Sequence, residues 1–139
     1  TFPVGCRPSS RVVYPEFFAA NPDNTDPRYN TEYGVYEPHC GLANVHLSWG
    51  HDEYLYHLLA PHLPEPALYM IRYHSFYAWH REGEYRHLTN AHDEAHVHWV
   101  QAFNPYDLYS KNPNPPVLAE LKPYYEDLLA KYLPPVLRL

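Results

Sequence analysis

No stretch of this sequence approaches the ~20 consecutive apolar residues that cross a membrane as a helix. The opening residues TFPVGC lack the basic and apolar regions of a secretory leader. Neither a membrane span nor a leader is therefore expected, and a cytoplasmic setting is. Cysteine is scarce as well. Cys6 and Cys40 form no Cys-x-x-Cys pair, and two cysteines are too few for a disulfide scaffold, so free thiols in a reducing compartment are expected. Basic residues are few: 10 Lys and Arg against 16 Asp and Glu leave a net charge of −6. That balance excludes the basic footprint of a nucleic-acid or anionic-membrane partner. Strand-like alternation and internal repeats are missing too. The chain does not start with Met, and Thr1-Phe2-Pro3-Val4-Gly5 reads like the interior of a domain, so a fragment is expected.

What is plentiful is aromatic and imidazole. Fifteen Tyr, three Trp and five Phe accompany 45% hydrophobic residues, a composition that excludes a disordered tail. The 139 residues suffice for one core, and eleven histidines are the first hint of metal. Residues 1–40 carry no helical period and contain turn formers such as Asn21 to Asn30, NPDNTDPRYN. Sixteen prolines divide the rest into four helical blocks. Gly41 to Leu59 has apolar residues near a helical period, and Pro61 and Pro64 end it. A second block starts at Pro64-Glu65-Pro66 and stops near Gly83. A third runs from Asn90 past Pro105, and a fourth spans Val117 to Leu133. The fold class is all-α, with a long N-terminal loop region.

Two His-Asp-Glu runs stand out: SWGHDEYLYH at Ser48 to His57, and AHDEAHVHW at Ala91 to Trp99. In the second, His92 and His96 lie one helical turn apart, a spacing that can chelate a metal. A zinc-protease helix needs glutamate directly after its first histidine. Here Asp93 holds that position, and Glu94 points about 100° further round the helix. No third ligand is signalled, so this run is expected to be a polar, solvated face. His51 has different flanks, Trp49, Gly50, Tyr54, Leu55 and Tyr56, which imply that it faces the interior. Gly50 suggests close approach of a neighbouring helix or a ligand. His74 sits in a similar aromatic run, IRYHSFYAWH. Two such histidines on consecutive antiparallel helices suggest a shared ligand, against the plainer reading of two hydrogen-bonded core residues.

The segments TFPVGC, TDPRYNTEYG, YEPHCGL, SWGHDEYLY, YMIRYHSFYAWH, FNPYDLYSK and LKPYYEDLLAKY, in this order, resemble the C-terminal half of the myo-inositol oxygenase family. The resemblance spans essentially the whole chain. It implies that residues 1–139 are the C-terminal part of a single inositol oxygenase domain, with a partial HD-domain-like helical bundle. It also implies two iron ions in the complete enzyme, which cleaves myo-inositol with O2 to D-glucuronate as a monomer. Carried over position by position, His51 and His74 match the histidines of the substrate-side iron, and Asp107 matches the terminal aspartate of the other iron. Ser75 matches a contact to a substrate hydroxyl, and Lys111 a lysine beside the inositol. Lys111 would offset charge on bound alkoxide and Ser75 would orient a ring hydroxyl. Asp52 is not a ligand in this pattern, since the family's adjacent His-Asp pair lies upstream. His92, His96 and His98 fall where the pattern has no ligand.

The upstream histidine, the His-Asp pair with its bridging aspartate and a substrate lysine have no counterpart in these residues. The 139-residue piece alone is therefore expected to bind iron weakly and to be inactive. Two rivals follow: an HD-type metal-dependent phosphohydrolase, for which Lys111 and Arg72 are the available cations, and a non-catalytic remnant. A half-domain is also expected to leave apolar helix faces uncovered.

Overall fold

The computed structural model describes residues 1–11, 14–107 and 114–137. Acidic residues and prolines mark where its helices start. α1 (His51–Leu59) carries Asp52 and Glu53 in its first turn, where negative charge meets the unpaired N–H groups of a helix start. α2 (Glu65–Tyr73) begins with Glu65 and Pro66, and proline is tolerated there because a first-turn N–H has no partner inside the helix. α3 (Tyr77–His80) is a single turn, followed by α4 (Ala91–Asp107) and α5 (Leu118–Tyr132). Among the described residues there is no strand, only an isolated bridge between Pro3 and Leu47. The fold is all-α.

The blocks are shorter than the periodicity suggests, for physical reasons. Helix does not start at Gly41, because the amides before α1 are used elsewhere. Leu42–Asn44 form a short 3-10 turn, then the chain runs extended beside the N-terminal segment. Val4 N–H donates to His46 C=O and Ser48 N–H to Phe2 C=O, both at 2.8 Å. The second block breaks at Phe76, whose ψ of 57° leaves the helical region. α4, by contrast, passes through Pro105 as anticipated and is described to Asp107.

The core lies where α2, α3 and the first half of α4 meet the ordered loops. Leu42, Phe76, Leu88 and Val100 are fully buried, and Trp79 is nearly so. Tyr69, Tyr73 and Tyr85 complete it. The N-terminal loop holds its path through Gly34, where φ is +57° and a Cβ would sit 1.8 Å from the Gly5 carbonyl oxygen. Only glycine fits there. α5 contributes no buried residue: Leu118 is 77% exposed, and Tyr124, Tyr125 and Leu129 are exposed with it. Much of its apolar stripe is thus open, with only Leu121 and Leu128 of its leucines half-buried, and Trp49 and Phe17 are likewise open. Uncovered apolar faces are thus present.

The start of α4 corrects the reading of the second His-Asp-Glu run. Asn90 Oδ1 accepts from the amides of His92 and Asp93, and Asp93 Oδ2 accepts in return from Asn90 N–H. This is a reciprocal capping box with aspartate in the usual place of glutamate. Asp93 is not solvated; it is buried, and it also accepts from Leu42 N–H at 2.9 Å and Tyr69 Oη at 2.8 Å. Asp93→Ala orphans all three donors at once. At about 1–3 kcal/mol per buried unsatisfied group, the variant is expected to lose at least ~3 kcal/mol in urea unfolding. Asp93→Asn, which keeps one acceptor oxygen, is expected to lose less.

Candidate metal centre

α1 and α2 lie antiparallel, so the first turn of α1 meets the end of α2. A buried ion pair fixes the register: Arg72 donates to both Glu53 oxygens, at 2.8 and 2.7 Å. Arg72 also lies over the Tyr56 ring, 4.3 Å from its centroid. This alignment brings His51, the first residue of α1, against His74, the C-cap of α2. Their Nε2 atoms are 3.0 Å apart. His74 Nδ1 is 2.7 Å from the Ile71 carbonyl oxygen. A carbonyl can only accept, so Nδ1 carries the proton and Nε2 of the neutral ring keeps its lone pair. His51 Nε2–H then donates to His74 Nε2.

With the His51 proton moved to its Nδ1, both Nε2 lone pairs would face one metal ion. Imidazole–metal bonds of about 2.1 Å at right angles hold their nitrogens about 3.0 Å apart, so the pair fits two adjacent coordination positions. His51 is exposed rather than interior-facing. The bulky flanks misled because its helix is two-faced at the first turn: Asp52 and Glu53 point inward, while Trp49 and Tyr54 are exposed.

Asp52, next to His51 in the chain, serves Ser75 and Thr1 rather than the imidazole pair. It is buried, and its Oδ2 accepts from Ser75 Oγ and Thr1 Oγ1. Burial alone would raise its pKa, but these hydrogen bonds and one from the Glu53 amide outweigh burial and hold it below the usual carboxylate range. The carboxylate also explains Gly50. A Cβ there would meet Asp52 Oδ1 at 2.9 Å, so the glycine makes room for its own helix's aspartate rather than for a neighbouring helix or a ligand.

Asp107 is reached from a third element. Tyr77 Oη on α3 donates to Asp107 Oδ2 at 2.8 Å, pinning the end of α4. Lys111 lies outside the described residues. Among the described residues, the only three metal-type donors within 4.8 Å of one another are Glu65, His92 and His96. Asp107 therefore does not complete a single-ion set with His51 and His74. Nothing local to the sequence points to Tyr77 or to Asp52 as partners, because each pairing joins residues from different helices. A cavity of about 670 Å3 lies elsewhere, lined by loop residues including Arg7, Ser9, Phe18 and His87.

His80 backs the pair: its Nε2–H donates to the His74 carbonyl at 3.0 Å, and its Nδ1 is buried without a partner. Burial pulls its pKa below the ordinary 6.5. The unfolded chain then takes up this proton before the folded one does. The stability contribution is complete above pH 6.5 and is lost as pH falls through the depressed value. Between pH 7.5 and 5, the melting temperature is expected to fall more steeply for the parent than for His80→Gln, which cannot titrate. Equal slopes would remove His80 from the account.

A family model described as "Myo-inositol oxygenase" matches residues 1–139. The chain is 53% identical over 141 residues to a protein from Rattus norvegicus named "Inositol oxygenase", covering 99% of this chain and 50% of that protein. The like-named protein of Mus musculus is 54% identical over 138 residues, covering 96% of this chain and 48% of its own length. That of Dictyostelium discoideum is 50% identical over 137 residues, covering 96% and 47%. The chain spans about half the length of these relatives.

Proposed function

Since this chain belongs to the myo-inositol oxygenase family, we propose that it carries one side of an inositol oxygenase iron site, with His51 and His74 as ligands to one iron and Asp107 as a ligand to a second. The observation that supports this best is the Nε2–Nε2 approach of 3.0 Å between two histidines from different helices. Imidazole and carboxylate donors suit non-haem iron that keeps positions open. When bound, iron supplies the O2-dependent oxidation that breaks the ring of myo-inositol to give D-glucuronate.

The chain's own residues then have these parts. Ile71 C=O holds the Nδ1 proton of His74, so Nε2 points forward as a donor atom. Asp52 fixes Ser75 Oγ beside the pair, where the hydroxyl would orient a ring hydroxyl of inositol. Lys111 would lower the cost of negative charge on the bound substrate. An HD-like helix arrangement, a monomeric state when complete and a cytoplasmic setting belong to the same reading. Among the described residues no helix is long and apolar enough to cross a membrane. The phosphohydrolase rival loses support, because the Arg72 guanidinium is engaged by Glu53 and is unavailable to a phosphate.

The test is iron content by mass spectrometry alongside glucuronate yield, in a protein of the relatives' full length that carries these residues. Two irons per chain and glucuronate formed only with both myo-inositol and O2 are expected. An iron-loaded protein that leaves myo-inositol intact but hydrolyses phosphate esters would overturn the reading.

A further inference from the structure

His92 and His96, expected to form a solvated face without a third ligand, do have one. The acidic first turn of α2 packs against the first turns of α4 and brings Glu65 between the two histidines. Glu65 Oε1 is 2.7 Å from His92 Nε2, and Oε2 is 3.4 Å from His96 Nε2. These three residues offer donor atoms within 4.8 Å of one another. We propose that Glu65, His92 and His96 form a second metal site, separate from the His51–His74 pair, that takes a borderline divalent ion such as Zn2+ and clamps the start of α2 to α4.

Three observations carry the assignment. The donor set, two imidazoles one helical turn apart and one carboxylate, is a recognised set for zinc with further positions open to water. Bonds of about 2.0–2.1 Å at tetrahedral angles place donor atoms about 3.3 Å apart; Glu65 Oε2 and His96 Nε2 already stand at 3.4 Å, while Oε1 and His92 Nε2, hydrogen-bonded at 2.7 Å, would open slightly to admit the ion. His96 is also already set as a ligand. Its Nδ1 is 2.9 Å from the His92 carbonyl oxygen, so that nitrogen is protonated and Nε2 presents its lone pair. The His96 ring is stacked on Tyr69, with centroids 4.7 Å apart at 25°, and Tyr69 is anchored in turn by buried Asp93. Supporting contacts of this kind hold a ligand ring in position and are what distinguish a built site from a chance one.

The site holds an ion but has no base to go with it. Asp93 is consumed by the capping box and its buried donors. Glu94 pairs with Arg86 at 2.5 Å and accepts from Thr89. A bound water would have no free carboxylate from this helix to take its proton, so the ion's role is structural. Because α2 ends at His74, an ion at Glu65 stiffens the helix that presents one of the proposed iron ligands.

The experiment is calorimetric titration of the chelator-treated protein with Zn2+ alone. It compares the parent with His92→Ala, His96→Ala and Glu65→Gln, and with the His51→Ala/His74→Ala double variant. His92 and Glu65 are exposed, so these substitutions should leave folding intact even if His96→Ala does not. One equivalent of Zn2+ should survive in the double variant, and each cluster variant should weaken that equivalent by at least ~10-fold, the smaller loss typical of removing only an outer partner. Zn2+ should also raise the parent's melting temperature by stabilising the form that binds it. Unchanged binding in His92→Ala and Glu65→Gln, or Zn2+ binding that disappears only in the double variant, would overturn the site.

Discussion

His51→Ala or His74→Ala, each placed in the full-length protein, is expected to remove about one iron per chain and to abolish glucuronate formation. Outer partners of metal ligands typically cost 10–100-fold when removed, so losing a ligand itself should cost more than ~100-fold. The geometry leaves no substitute. The two rings meet from opposite helices at 3.0 Å, and the other carboxylate nearby, Asp52, is turned away onto Ser75 and Thr1. The two variants should fail equally, because either one leaves a single imidazole. Stability should change little for His51→Ala, since His51 is exposed. A variant that keeps both irons and full activity would remove the basis of the iron assignment.

Arg72→Met is expected to be the most destabilising single change on the α1–α2 face. Arg72 and Glu53 side chains are each only 7% exposed, and their contact is bidentate. Removing the guanidinium leaves a buried carboxylate that, among the described residues, has only His57 Nε2, at 3.2 Å, as an ion-pair partner. Breaking one half of a buried pair costs about 3–5 kcal/mol. For a chain of this size, that corresponds to a drop in melting temperature of roughly 10–20 °C. The double variant Arg72→Met/Glu53→Leu separates loss of attraction from the cost of a stranded charge. It should recover much of the stability, because apolar replacements of both partners are often near neutral. If the double variant is as unstable as the single one, Arg72 stabilises through stacking of its guanidinium on the Tyr56 and Tyr73 rings rather than through its pairing with Glu53.

The two changes are linked through one element pair. Arg72 sits two residues before His74, and Glu53 two residues after His51, so the ion pair sets the register at which the imidazoles meet. Arg72→Met should therefore also lower iron occupancy, although Arg72 touches no metal. In thermal melts, added Fe2+ should restore less stability to Arg72→Met than to the parent.

Much of this was legible in the sequence, and for a definite reason. Helix existence follows from apolar spacing of 3.6 residues, from proline and from acidic first turns, all of which are properties of neighbouring residues. The starts at Pro64-Glu65-Pro66 and Asn90, the passage through Pro105 and the all-α class were readable on that basis. So was the pairing of His51 with His74, through the two long motifs that carry the family resemblance. What the sequence could not hold was the partner of each charged group. The two His-Asp-Glu runs look alike, yet Asp52 supports Ser75 while Asp93 closes a capping box and takes the Tyr69 hydroxyl. Arg72 looked like a candidate phosphate ligand until Glu53 was found beneath it. His92 and His96 looked like an unassisted pair until α2 packing delivered Glu65. α5 has a sound apolar stripe, but periodicity specifies only that a face is apolar, not that any surface covers it. Local order is encoded within a few residues along the chain, whereas the fate of a buried charge depends on which helix arrives opposite it, and only the tertiary packing decides that.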